Sequence, residues 1–178
     1  MKEIIVHRFI SPYGELLLGS YQDRLCLCDW AYRKMRQSID MRITGALDAS
    51  YSEGESEIIA IAMQQLSEYF RRERKEFSIP ILMAGSDFQK QVWEQLLQIP
   101  YGQTRTYMDL AVRLGNPKAI RAVAAANGAN ALSILVPCHR VIGSQGELTG
   151  YAGGLKVKRA LLQLEKKPAQ AELFDFDL

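Results

Sequence analysis

The sequence predicts a mixed α/β (α+β) protein: a small N-terminal antiparallel sheet with one packed helix, followed by a helical C-terminal unit of helix-turn-helix type. Three observations predict it. Apolar residues alternate in three short runs before residue 31, they recur at helical spacing from residue 56 onward, and turn residues cluster between these stretches. At 178 residues and 48% hydrophobic content the chain has apolar mass for one large core or two small ones.

The runs EIIVHRF, GELLLGSY and RLCLCDW read as strands separated by the turn signals SPYG and Gln22-Asp23. Residues 31–54 are polar and without period, so they read as irregular. The stretch SEIIAIAMQQLSEYFRRE places Ile58, Ile59, Ala62, Met63, Leu66, Tyr69 and Phe70 along one side of a helix. Residues 77–85 read as a connector. Ser86 with Gln89 three residues later forms a capping-box pattern, opening a helix that buries Phe88, Val92, Trp93, Leu96 and Leu97 before Pro100-Tyr101-Gly102 stops it. Residues 106–114 form a short helix ended by Gly115, and the turn Asn116-Pro117 leads into KAIRAVAAANG. Two short helices around a tight turn are the helix-turn-helix pattern. A last helix carries GLKVKRALLQLE. The predicted division is an N-terminal domain over residues 1–80, a second domain over 86–167 and an acidic tail over 168–178.

Charge is unevenly divided. Residues 1–85 carry 11 basic and 12 acidic groups, residues 86–167 carry 11 and 5, and residues 168–178 carry 0 and 3. The basic middle segment suits phosphate neutralisation and so a nucleic-acid partner, although many solvated surfaces are equally basic. Inside it, Ala119, Ala122, Ala124, Ala125, Ala126 and Gly128 leave one helix nearly bare apart from Arg121. Such a helix either packs closely against a neighbour or enters a narrow DNA groove with Arg121 as its long probe.

The stretch VPCHRVIGSQGELTGYAGG, residues 136–154, sets Cys138 beside His139 and follows them with a glycine-rich loop. A thiolate is the nucleophile and an ordinary thiol is mostly protonated at neutral pH, so an adjacent base has a purpose. Glu165, downstream on the last helix, is placed to orient an imidazole. Cys, His and a carboxylate are the parts of an activated nucleophile, while an isolated Cys-His pair is more often a buried thiol beside an imidazole.

The segments IPYGQTRTYMDLA, GNPKAIRAVAAANG, ILVPCHRVIGSQGELTGYAGG and KRALLQLE, in this order, closely resemble the O6-alkylguanine-DNA alkyltransferases, also called methylated-DNA–protein-cysteine methyltransferases. The resemblance runs from about residue 86 to residue 165 and implies a winged helix-turn-helix-like C-terminal domain; the N-terminal half matches only in outline, as a ribonuclease H-like sheet and helix. It implies DNA repair by irreversible, single-turnover transfer of an alkyl group from guanine O6, possibly also thymine O4, to Cys138. His139 would take the thiol proton through a water, aligned by Glu165. Tyr107 would crowd the phosphate beside the lesion and donate a proton toward the departing guanine. Arg121 would fill the stack after the base flips out, with Ala122, Ala125 and Arg140 also facing DNA in the minor groove. Asn130 would hold the turn before the cysteine, and Val141, Tyr151, Ala152, Gly153 and Gly154 would line the base pocket. Many relatives carry proline directly after the hinge asparagine and again two residues later, where this chain has Ala131, Leu132 and Ser133, which predicts a less rigid loop, and Ala129 stands where a basic residue is frequent.

Two other classes fit part of the pattern: a non-catalytic sensor or regulator that binds alkylated DNA, and a cysteine hydrolase, which leaves the slim helix unexplained. His7, Cys26 and Cys28 supply three ligands where structural zinc takes four, so neither metal nor cofactor is expected. Cys26 and Cys28 lie two apart in a strand and so on one face, where they rarely bridge. The absence of a signal peptide, a membrane-length apolar run and a disulfide framework predicts a cytoplasmic protein without a membrane partner. A monomer suffices for one-lesion chemistry. Residues 170–174, QAELF, loosely resemble a sliding-clamp-binding peptide, although a disordered or self-packing tail is the simpler reading.

Overall fold

The computed structural model describes residues 2–166, so the tail and its clamp-like motif lie outside the described residues. Strand β1 (Glu3–Ser11) pairs antiparallel with β2 (Gly14–Tyr21), which pairs antiparallel with β3 (Arg24–Trp30). The expectation of irregular chain over residues 31–54 is corrected. Arg36–Leu47 forms helix α1, and Ser50–Glu53 forms β4, which runs parallel to β1 and makes the sheet mixed, in the order β3-β2-β1-β4. Helix α1 buries only Ile39 and Ile43 and has no side-chain cap at its start, which is why its sequence carries no period to read.

The β2–β3 register shifts between Gly19 and Ser20, leaving Cys26 as an extra residue. The two strand cysteines therefore do not share a face: Cys26 packs with Ile4, Ile39 and Ile43, whereas Cys28 packs with Leu16, Leu18 and Trp30. The free edge of β3 is covered by the connector, through Leu25 N–H to the Pro80 carbonyl (2.8 Å) and Leu82 N–H to the Leu25 carbonyl (2.9 Å).

Helix α2 (Glu57–Phe70) starts where the Ser56 hydroxyl accepts from Ile59 N–H, and it lays Ile59, Ala62, Leu66 and Tyr69 on the sheet. Helix α3 (Asp87–Leu97) has both bonds of the capping box formed by Ser86 and Gln89. It buries Val92, Trp93 and Leu96, but Leu97, expected in the core, is 41% exposed beyond the edge of that stripe. A two-residue strand β5 (Arg105–Thr106) leads into α4 (Tyr107–Arg113), and a 3-10 turn at Pro117–Ala119 leads into α5 (Ile120–Gly128). Strand β6 (Val141–Ile142) pairs with β5 as a minimal wing, and α6 (Leu155–Lys166) closes the unit. No helix among the described residues is long and apolar enough to cross a membrane.

One apolar cluster runs through both halves, joining Leu16, Trp30 and Leu66 to Trp93, Val123 and Leu161. A buried polar hub ties them as well. Asp29, fully buried, accepts from Arg33 Nη1 and Arg36 Nη1, each at 2.9 Å, and from Ser133 Oγ at 3.3 Å. Arg33 also donates to the carbonyls of Asn130 (3.1 Å) and Gly128 (2.6 Å), and Arg42 donates to that of Ala129 (2.8 Å). Cations thus close the C-terminus of α5, where carbonyls otherwise lack partners. Removing the carboxylate strands Arg33 in the interior. Asp29→Ala is expected to cost about 3–5 kcal/mol of stability in urea unfolding.

Candidate active site

The segment leading to the cysteine is held from three directions. Asn130 donates through Nδ2 to the Val136 carbonyl (2.8 Å) and accepts through Oδ1 from Leu132 N–H (3.0 Å), so its side chain closes the loop on itself. Cys28 N–H donates to the Ala131 carbonyl (2.8 Å) and Ser133 N–H to the Cys28 carbonyl (2.7 Å), zipping the loop onto β3. Ile134 is left-handed at φ 74°, an uncommon conformation for a branched residue that costs about 1–3 kcal/mol and persists only where surroundings impose it. The rigidity expected to be lost with the missing prolines is therefore supplied by hydrogen bonds, and a proline at 133 would remove one of them.

Cys138 opens a 3-10 turn, Cys138–Arg140, and is 4% exposed. Burial pushes its thiol above the ordinary value, and the Asn130 amide and Lys158 charge offset this only in part. His139 is fully buried and joins Glu165 Oε1 through Nε2 at 2.7 Å. The same carboxylate accepts from Tyr69 Oη (2.8 Å), Arg140 Nη2 (2.9 Å) and Arg140 Nε (2.9 Å). Burial pushes Glu165 up, but bonds and charge from His139 and Arg140 outweigh it and hold the carboxyl at about 2. Burial also lowers His139 despite Glu165. The imidazole is then neutral at pH 7, and Arg140 supplies the permanent charge that keeps Glu165 ionised. With the carboxylate ionised, Nε2 carries the ring proton and Nδ1 is the basic nitrogen; Nδ1 is buried without a protein partner among the described residues.

Tyr151, whose ring packs edge-on to His139, links this array to a cleft of about 1010 Å³, whose lining does not include Cys138, His139 or Glu165. Its walls include Tyr107 from α4, Arg121 and Asn127 from α5, residues 149–154, and Tyr32 and Met35 from the N-terminal half. Tyr107 Oη donates to the Thr149 carbonyl (3.3 Å), and burial raises the phenol, keeping it protonated. Arg121, Ala122 and Ala125 are exposed on the open face of α5. Tyr151 Oη accepts from Trp30 Nε1 (3.1 Å), and Gly153 is required there because a Cβ would lie 2.8 Å from that indole nitrogen. Tyr32, not singled out from sequence, donates to the Gly153 carbonyl (3.0 Å).

Two expectations are corrected. Arg140 does not face DNA: it is 7% exposed, bound to Glu165 and, through Nη1, to the Ile99 carbonyl (2.7 Å), so its charge is spent inside. Val141 is not a pocket wall: it is fully buried in β6 as part of the core. One buried charge beside the cleft has no counterpart in the sequence reading. Lys158 is fully buried and donates to the carbonyls of Thr149 (2.9 Å) and Gly150 (3.4 Å), and burial lowers its ammonium to about 8. Its signal was a lysine at helical spacing with Leu161, Leu162 and Glu165, on the buried face of α6.

A buried thiol beside a His–Glu–Arg array, next to a cleft walled by an exposed and nearly bare helix, is the arrangement of an activated cysteine on a helix-turn-helix fold. Residues 87–167 match the family model described as 6-O-methylguanine DNA methyltransferase, DNA binding domain. Methylated-DNA–protein-cysteine methyltransferases from Mycobacterium tuberculosis and Methanosarcina acetivorans are similar. The first is 54% identical over 65% of this chain and 70% of its own, the second 45% identical over 88% and 95%. Among solved structures, Mycobacterium tuberculosis O6-methylguanine methyltransferase superposes with a TM-score of 0.77 at 41% identity, covering 98% of this chain and all of its own. The same organism's OGT in complex with DNA also gives 0.77, at 40% identity over 97% and 99% of the chains. The chain belongs to the methylated-DNA–protein-cysteine methyltransferases, and its function is DNA repair by alkyl transfer from DNA.

Truncating Glu165 to Ala leaves the Arg140 charge buried and is expected to cost about 3–5 kcal/mol in urea unfolding at pH 7. Because the folded carboxyl lies below its ordinary 4.5, its contribution is fully present above that pH and is lost as pH falls through about 2. The gap between wild type and variant should narrow over that acid range.

Proposed function

We propose that Cys138 is the alkyl acceptor. Its sulfur displaces guanine O6 at the alkyl carbon, forming the S–C bond as the C–O6 bond breaks. The thiol proton passes to His139 Nδ1 through one water, and Tyr107 gives a proton toward the departing base so that it leaves neutral. The observation that carries this reading is the Glu165–His139 bond: it fixes the tautomer that leaves Nδ1 as the base. A resting thiol above its ordinary value and a neutral imidazole suit proton removal during the displacement rather than a preformed thiolate. The product thioether is a poor leaving group, so each molecule acts once.

The chain binds DNA. The bare face of α5 with Arg121, Ala122 and Ala125 is the surface we assign to the minor groove, Arg121 replacing the flipped base in the stack. The cleft is large enough for that base, with Tyr151, Ala152, Gly153 and Gly154 as its walls and Asn130 and Lys158 as positioning residues. We further infer a monomer acting in the cytoplasm, with sheet and helical units meeting near residues 80–86.

Mass spectrometry after mixing with duplex DNA bearing one O6-methylguanine should add a single methylene mass to the Cys138 peptide. Cys138→Ala should bind the lesion without gaining mass. Tight binding by wild type without a mass change would make the protein a lesion sensor. The transfer rate should be level between pH 6.5 and 9.0 and fall below that range as His139 is protonated. A preformed thiolate would instead give a rate rising about tenfold per pH unit toward the thiol's own titration.

A further inference from the structure

Glu147 is the one acid among the described residues that lines the cleft, where Lys34 and Arg121 supply exposed cations. Arg33, the third cation of that lining, is already neutralised by Asp29 at 2.9 Å. Glu147 stands on the turn that follows β6, and its charge is fixed there. Gln145 N–H donates to the carboxylate at 2.8 Å, Gly143 N–H donates to the Glu147 carbonyl at 2.9 Å, and Gly146 N–H closes the turn onto the Gly143 carbonyl at 3.0 Å. Gly146 takes a left-handed φ of 80°, and a Cβ at residue 143 would overlap the carboxylate, so both glycines are needed for the turn to hold it. An exposed glutamate ordinarily loses little by swinging away from an approaching anion. This one would give up a charge-assisted bond to do so.

Every duplex, damaged or not, presents the same phosphates, and contacts to them supply affinity without sequence information. With α5 in the minor groove, the phosphates on either side of a nucleotide flipped into the cleft pass its mouth. A cleft of this volume spans on the order of 10 Å, the same length over which 0.1 M salt screens a charge, so a charge on its wall still acts on them. We propose that Glu147 limits the affinity for DNA: its fixed negative charge repels the phosphates flanking the flipped nucleotide and shortens the protein's stay on undamaged duplex. The assignment rests on the reading of α5 as the DNA surface. The repelled groups are common to all sites, so the penalty falls equally on lesion and normal base and leaves the discrimination between them unchanged.

The test measures equilibrium binding of the full chain to two duplexes of one sequence, one undamaged and one carrying O6-methylguanine, in a Cys138→Ala background so that no transfer intervenes. Glu147→Gln keeps the side chain's shape and an acceptor for Gln145 N–H while removing the charge. It should tighten binding to both duplexes by about threefold at low salt, a gain that shrinks below about 1.5-fold near 0.5 M salt. Glu55→Gln removes the same charge from an exposed position outside the cleft and should bind as the parent does. Unchanged or weaker binding by Glu147→Gln, a gain confined to the lesion duplex, a gain undiminished by salt, or an equal gain in Glu55→Gln overturns the proposal. Arg121→Ala separates that failure from a failure of the surface assignment. Weakened binding keeps α5 on the DNA whatever Glu147 does, and unchanged binding removes α5 from the DNA and this inference with it.

Discussion

The Glu165 carboxylate is the constraint on which the rest of the site depends. It joins three elements: Tyr69 from α2, His139 and Arg140 from the 3-10 turn that begins at the cysteine, and its own helix α6. Each partner alone would be an expensive buried polar group. Together they satisfy one another, and the arrangement is worth more than its separate bonds because no member can leave without stranding the others. This also explains why a charge that looks available for phosphate, Arg140, is not. Its guanidinium is the counter-charge that lets a carboxylate remain ionised beside a neutral imidazole.

Burial then sets the chemistry. Removing the thiol from water raises it, and removing the imidazole from water lowers it. The two shifts act together: both favour the uncharged pair at rest, so the proton leaves the thiol only as the sulfur's electron pair is committed to the new bond with an electrophilic carbon. A reactive thiolate held permanently would be open to oxidation and stray alkylation. A thiol only 4% exposed is shielded from both.

Much of this was legible in the sequence wherever a signal is local. Ser86 and Gln89 announced α3 through their own reciprocal bonds, and the adjacency of Cys138 and His139 announced the site. What escaped notice depends on contacts distant in sequence. Helix α1 has two buried residues and is secured by Arg36 to Asp40 at 2.8 Å, neither of which makes an apolar period. The opposed faces of Cys26 and Cys28 follow from a register shift that only the partner strand defines. Lys158 and Arg140 look solvent-exposed by residue type, and only the carbonyls and carboxylate they meet show otherwise.

The N-terminal half gains a physical role from these distant contacts. Two polar hubs flank the cysteine segment, Glu165 on one side and Asp29 on the other, and each draws groups from both halves of the chain. Asp29 acts through Arg33 on the last carbonyls of α5, the helix we assign to the minor groove, and through Ser133 on the loop that leads to Cys138. Helix, loop and thiol are thus positioned by one buried carboxylate and share a common anchor. Reaction geometry tolerates errors of only a fraction of an ångström. A free-standing helix-turn-helix with a loop on it would not hold that tolerance, whereas one pinned at both hubs to a sheet does.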